Sequence, residues 1–369
     1  MARVVYAIAV CAIWALSLGS AMAAEPKAAI EGELDPALRA AVIRAVGETE
    51  RPIQNRFEAR RRAREAAEDT IAVLRSEGYY ASEVTADVGE GDAPTPLVRV
   101  TPGARFILAA PTIEWQGDAP DSDTAAAALG SLGLTPGAPG RAADVVSAEG
   151  RAVAAVQKRG YADVEAKPRE VIVDHADDTM RPTYRIAAGR IVRLNGIDLT
   201  TDGRTRRAWL QSLAPWRSGD DYRPEDVAIL ERRLLDTGVY DSVTVALSPA
   251  AATTADGLRP VVVSLAERKR RTVELGASYS TTEGMGLDAR WTHYNVFGRA
   301  DTLALAGRLS DVDSKARVEL SLPHWRKPDQ TLRSSAGVYR TRTDAYDETG
   351  VGVAADVTRH YGKTSYFTL

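Results

Sequence analysis

The 369-residue chain offers few side chains that could do chemistry. It carries four histidines and one cysteine. His175 stands with Asp174, Asp177 and Asp178, which together have the donor atoms of a metal site. Those acids share one short polar stretch between VIV and PTYRI, and no second histidine is near in sequence, so the spacing predicts a hairpin loop. His293 and His324 lie far from any plausible nucleophile. GxSxG, HExxH, a glycine-rich phosphate loop and a paired-carboxylate motif are all absent. The chain reads as a non-enzyme, with no cofactor and no metal. The chemistry left to it is that of the backbone: an exposed sheet edge accepts an extended chain through main-chain hydrogen bonds.

The first 23 residues have the pattern of a secretory signal peptide. Arg3 supplies a short positive start, VVYAIAVCAIWALSLG an apolar stretch, and AMA a cut site ending at Ala23. Cleavage there removes Cys11, so the exported protein has neither disulfide nor thiolate. The formal charge is −3, and basic residues alternate with acidic ones. Nucleic-acid binding needs a sustained basic field, and none is present. No later run approaches the roughly 20 apolar residues of a membrane-spanning helix. That excludes helical spans only, because membrane strands give a weaker signal of about ten alternating residues each.

Between residues 28 and 267 a unit recurs: strand, helix, helix, strand, strand. Each helix-like run ends at a glycine followed closely by an aromatic, in SEGYYASEVTADV, KRGYADVEAKPREVIVD and DTGVYDSVTVAL. Gly78, Gly160 and Gly238 are spaced by 82 and 78 residues, the length of a small domain. Val227, Leu230 and Leu234 make the clearest helical stripe, after Pro224, Glu225 and Asp226. PGARFILAAPTIEWQGD and AAGRIVRLNGIDLTTDG open the second and third units alike, whereas the first has only AAIEGEL as its opening strand. Tyr79, Tyr80, Tyr161 and Tyr240 read as packing residues after the helix ends. The arginines at 60 to 64 read as a solvated helix face.

After ERKRR the grammar changes to strict alternation. Val273, Leu275, Ala277 and Tyr279 face one way, against Thr272, Glu274, Ser278 and Ser280. Met285, Leu287, Ala289 and Trp291 repeat the pattern, as do Leu303, Leu305 and Leu309, then Val318, Leu320 and Leu322. Further strands are expected at 332 to 343 and 350 to 359. A soluble sandwich would alternate too. Strands of eight to ten residues, charges in mid-strand and the aromatics Trp291, Tyr294 and Phe297 near one strand end favour a membrane sheet with an aromatic girdle.

The run HYNVFGRADTLALAG, with Asn295, Val296, Phe297, Gly298, Arg299 and Asp301, resembles the joint between the second and third barrel strands of the BamA/TamA superfamily. Ala300 stands where that family more usually has glycine. The preceding units resemble POTRA domains, at 28–101, 102–187 and 188–267, ahead of a barrel segment at 270–369. Three such domains resemble the TamA branch. The resemblance implies α+β POTRA repeats followed by an antiparallel transmembrane β-barrel, in the outer membrane with the POTRA domains in the periplasm. It implies an insertion factor whose partners are client outer-membrane or autotransporter polypeptides, a TamB-like inner-membrane-anchored protein and outer-membrane lipid. Residues 272 to 280, with Val273, Leu275, Ala277 and Tyr279, would form the first barrel strand and offer its edge to a nascent strand. The family barrel has about 16 strands, whereas the residues after Arg270 allow roughly six. The barrel is therefore expected to be incomplete, and the sequence to be truncated at its C-terminal end. The alternatives are a two-partner-secretion transporter, which usually has two POTRA domains, and a soluble periplasmic POTRA scaffold.

Overall fold

The computed structural model describes residues 25–49, 51–90, 94–281, 284–343, 345–361 and 365–369. The signal peptide expected over residues 1–23 lies outside them. The chain divides into two compact units. One takes the residues up to Pro111 with Leu134–Ala148 and Glu170–Thr183, and the other takes Thr112–Gly133, Glu149–Arg169 and Tyr184–Leu369.

The first group of elements is β1 (Glu25–Pro26), β2 (Ala29–Glu31), α1 (Pro36–Val46), β3 (Glu48–Thr49), α2 (Arg56–Ser76), β4 (Glu83–Val88) and β5 (Pro96–Thr101). The second is β6 (Ile107–Leu108), β7 (Thr112–Trp115), α3 (Ser122–Ser131), α4 (Ala142–Gln157), β8 (Glu165–Asp174) and β9 (Thr179–Ala187). The third is β10 (Arg193–Leu199), α5 (Arg207–Ser212), α6 (Pro224–Leu235), β11 (Tyr240–Leu247) and β12 (Leu258–Glu267). Their sheets run β2-β5-β4, β6-β9-β7 with β8 on β9, and β10-β12-β11. In the first and third groups the opening strand is parallel to the last, and the penultimate strand is antiparallel to it. A parallel pair needs a long crossover, which the two helices provide. AAIEGEL does supply the opening strand β2, though only three residues of it.

Helix α2 starts where Asn55 accepts the amide of Glu58 and Glu58 reaches back to the amide of Gln54, so two orphan donors are satisfied at once. Its alanines let it lie close to Val42, Val46 and Val98 in the first core. Arg62 departs from the expected solvated face. It is only 7 % exposed, and donates to the carbonyl of Arg51 at 2.9 Å and to Glu58 at 2.6 Å. Its position on the helix turns it inward, and a buried guanidinium persists only where such partners exist. Helix α6 begins at Pro224 with Glu225 and Asp226 in its first turn and ends with Arg232 and Arg233, matching the helix dipole at both ends.

Gly78, Gly160 and Gly238 have φ of +95°, +98° and +66°. Their role goes beyond ending a helix. The carbonyl of Gly78 accepts the amide of Phe106 at 2.8 Å, and that of Gly160 accepts the amide of Val192 at 2.9 Å. At the third position Arg268 donates its side chain to Gly238 and its amide to Val239, both at 3.0 Å. Each joint therefore fastens the residues that open the next group.

The last seven strands are β13 (Arg271–Ser280), β14 (Gly284–Tyr294), β15 (Thr302–Ser310), β16 (Asp313–Leu322), β17 (Gln330–Arg342), β18 (Asp347–Tyr361) and β19 (Ser365–Thr368). They form one antiparallel sheet in sequence order. Among the described residues there are seven where roughly six were expected, because β19 is only four residues long and too short to show an alternation.

Substituting Gly160 by Ala tests the second joint. An added Cβ would sit 3.3 Å from Ile191 in a backbone conformation that L residues resist. Gly160→Ala is expected to lower stability by at least about 1 kcal/mol, read as a shifted urea midpoint, whereas Gly150→Ala, with open space around it and no positive φ, should leave it unchanged or raise it.

Candidate functional site

The two faces of the seven-stranded sheet differ in chemistry, and the register shows how. One cross-strand row reads Val273, Trp291, Leu305, Val318, Ala336 and Val353. The next on the same face reads Leu275, Ala289, Gly307, Ala316, Val338 and Val351. These apolar rows are bare: Leu275 and Val353 are each 80 % exposed, and Tyr279 76 %. A sandwich would have covered them with a second layer. The described residues supply no such layer, so this face presents a contiguous apolar surface.

The opposite face holds Glu274, Arg290 and Arg317 in one row, then Asp288, Arg308 and Lys315 in the next. Glu319 accepts from Arg290 and from Arg317, both at 2.7 Å. Charges in mid-strand with neighbours of opposite sign suit a wet surface. Strand β13, with Val273, Leu275, Ala277 and Tyr279 on its apolar side, is one end of the sheet. It pairs only with β14 among the described residues.

The run Asn295 to Asp301 forms the turn between β14 and β15, and it is tied into the third group by a buried polar knot. Asp301 is fully buried, and its carboxylate accepts the amides of Val296 and Phe297 at 2.9 Å and that of Arg299 at 3.3 Å. Asn295 is 1 % exposed and accepts the amide of Ala300 at 3.0 Å. Its side-chain amide donates to Thr205 and to Glu267, both at 3.1 Å. Glu267, the last residue of β12, also receives the amide and guanidinium of Arg204 at 2.8 Å each, and the hydroxyl of Thr205 at 2.9 Å. Arg204 extends to the carbonyl of Tyr294 at 3.0 Å, and the Thr205 hydroxyl oxygen accepts from the hydroxyl of Tyr240 at 3.0 Å. The carbonyl of Gly298 takes the amide of Arg206 at 2.9 Å. Gly298 has φ +74°, and a Cβ there would lie 2.6 Å from the carbonyl oxygen of Arg204, so no larger residue fits.

Burial pushes the Glu267 carboxyl up, but the hydrogen bonds from Thr205 and Arg204 outweigh it and hold the group below the usual carboxylate range. Burial raises the Tyr240 hydroxyl, keeping it a neutral donor.

The motif residues are not equal. Asn295, Gly298 and Asp301 build the knot, whereas Phe297 is 47 % exposed and Arg299 is exposed. Ala300 takes φ +54° and is buried against the third group's core, so its methyl gains packing where a glycine would gain backbone freedom. Tyr294 differs from the expected girdle. Parity puts it on the polar side, where it packs on that same core beneath the guanidinium of Arg268, 5.5 Å from its ring. The partners Arg204, Thr205 and Glu267 carry no sequence signal, since each is an ordinary surface residue type far from the motif. His175 sits in the expected hairpin turn, its ring 5.1 Å from that of Phe106.

Removing the acceptor tests the knot. Glu267→Ala leaves a guanidinium, the backbone amides of Arg204 and Thr205, the Asn295 side-chain amide and a hydroxyl without their shared partner, and should cost about 3–5 kcal/mol. Because the folded-state value of Glu267 is depressed, its contribution is present above the unfolded carboxylate range and lost as pH falls through it. Acid titration of stability between about pH 6 and 3 should therefore show a smaller loss in Glu267→Ala than in the parent.

No protein-family model matches the chain. The crystal structure of BamA from Haemophilus ducreyi lacking POTRA domains 1-3 superposes with a TM-score of 0.59 at 17 % identity, covering 69 % of this chain and 48 % of that one. CdiB from Acinetobacter baumannii gives 0.40 at 15 % identity, over 71 % of this chain and 51 % of that one. BamA POTRA3-5 from Haemophilus influenzae gives 0.38 at 19 %, over 55 % and 80 %. The last two superpose too loosely to bear on the fold. The chain spans about half the length of the BamA structure it matches (48 %). Its fold is a POTRA-like α/β region leading into a large antiparallel sheet of the kind found in BamA.

Proposed function

We propose that the protein acts as an outer-membrane protein assembly and insertion factor of the BamA/TamA superfamily, on the TamA pattern. The observation that carries this reading is the two-faced sheet, bare and apolar on one side and charged on the other, joined by a buried knot to α/β modules. In this reading residues 28–101, 102–187 and 188–267 are three POTRA domains in the periplasm. They receive client outer-membrane or autotransporter chains and a TamB-like partner, and residues 270–369 lie in the outer membrane. The step itself needs no cofactor. A nascent strand entering lipid must satisfy every amide and carbonyl, and pairing with the edge of β13 does so before the strand leaves protein.

Expression of the full-length gene with detergent partition tests the reading. The protein should enter the detergent phase, and a strain lacking it should lose client outer-membrane proteins. A protein that stays folded and monomeric in buffer alone would overturn the proposal in favour of a soluble scaffold. Secretion of one dedicated passenger, with other clients unaffected, would overturn it in favour of a two-partner-secretion transporter.

The faces can be told apart by one charge. Leu275→Arg places a cation in the middle of β13 on the bare face and should destabilise the inserted protein by about 2–4 kcal/mol. Ser278→Arg, on the opposite face of the same strand, should change it by under about 1 kcal/mol. Equal effects, measured by reversible urea unfolding in lipid vesicles, would contradict a lipid-facing apolar side.

A further inference from the structure

A second fastening joins the third group to the sheet, at the turn of residues 323–329 between β16 and β17. Three non-glycine residues in that turn, His324, Arg326 and Asp329, have φ of +53°, +61° and +63°. L residues seldom adopt that region, so a turn with three of them must be held by its surroundings. Helix α6 does the holding. Arg233 donates to the carboxylate of Asp329 through Nη2 at 2.8 Å and Nε at 3.2 Å, while its Nη1 is anchored on the carbonyl of Leu213 at 2.7 Å.

His324 closes the arrangement through both ring nitrogens. Nε2 lies 2.9 Å from the carbonyl oxygen of Arg233, and Nδ1 lies 3.0 Å from the amide nitrogen of Asp329. A carbonyl only accepts, so Nε2 must carry the proton. An amide only donates, so Nδ1 must be bare. The clasp is therefore written for one tautomer of the neutral ring. A second proton, on Nδ1, would set N–H against N–H.

We propose that His324 is a proton-released clasp, which when neutral fastens the β16–β17 turn to α6 and when protonated lets the turn go. The charges facing the ring come from several elements. The Arg233 carbonyl on α6, Asp329 on the turn and Asp236 just past the end of α6 favour the cation, whereas the Arg233 guanidinium opposes it. Arg232 on α6, Arg333 on β17 and His360 on β18 line the same cleft of about 580 Å³. The indole of Trp209 on α5 covers the ring at 6.2 Å. Burial is the largest influence and pushes His324 below the ordinary histidine value. Asp329 remains charged throughout: burial pushes it up, but Arg233 outweighs that and holds it low. A histidine depressed in the clasped state stabilises the clasp above its ordinary value near 6.5, and that contribution is lost as pH falls below it.

Hydrogen exchange on the full protein in detergent micelles tests this, read at the amides of residues 323–331 and corrected for the intrinsic pH dependence. Between about pH 7.5 and 5.5 the protection of the Asp329 amide should fall several-fold, up to a linkage limit of about tenfold. In His324→Asn, an acceptor remains near the place of Nδ1 but does not titrate, so protection should stay level across the same range. Protection that persists in the parent, or that falls equally in His324→Asn, would overturn the proposal. Should that variant not fold, the imidazole nitrogen shifts of the parent decide. A ring protonated on Nε2 at neutral pH, with a midpoint below about 6.5 that coincides with lost protection, supports the clasp. A midpoint at or above that value, or a proton on Nδ1, overturns it.

Discussion

The carboxylate of Glu267 stands where the α/β part of the protein ends and the sheet begins. It is the shared acceptor for Arg204, Thr205 and Asn295, and those three come from a loop of the third group and from the turn after β14. The charge is drawn from water into a site where every donor is supplied by protein, which is the condition for a buried ion to stabilise rather than disrupt. Asp301 repeats the logic within the turn, taking three backbone amides that would otherwise be buried without partners.

The rest of the sheet is organised by the contrast between its two sides. Period-two alternation gives every strand one apolar and one polar side, and here the apolar sides of successive strands join into one large uncovered surface. The polar side is not merely tolerant of charge. Glu319 bridges Arg290 and Arg317 across strands β14 and β16, so like charges brought near by the register have an anion between them. The first and third α/β groups follow the opposite rule, each with its own buried core. One polypeptide thus has inward-facing cores in one part and an outward-facing apolar surface in the other.

Local strain collects at the joints. Gly78, Gly160 and Gly238 absorb positive φ without penalty, whereas the turn of His324, Arg326 and Asp329 does not have glycine to do so. That turn persists through its contacts with α6, and contacts that depend on a neutral ring are conditional. The knot at Glu267 keeps its charge over a wide range of pH, so the two fastenings between the third group and the sheet differ in what can undo them.

Much of this was readable without coordinates. The repeated helix-ending glycines, the stripe of Val227, Leu230 and Leu234, and the alternation from Val273 onward each reflect a local rule with a fixed period, so the sequence alone determined which segments are helices and strands and which residues share a side. The motif residues Asn295 to Asp301 were visible as a pattern, but not the division of labour among them. Glu267 lies 28 positions from Asn295, and Arg233 lies 96 from Asp329, so nothing local marks either pair. Arg62 and Tyr294 were misplaced for the same reason, because their surroundings come from other elements. The short strand β19 escaped because four residues are too few to display a period. Tertiary structure alone decided that the described residues leave the apolar side uncovered, since alternation reads the same whatever lies against it.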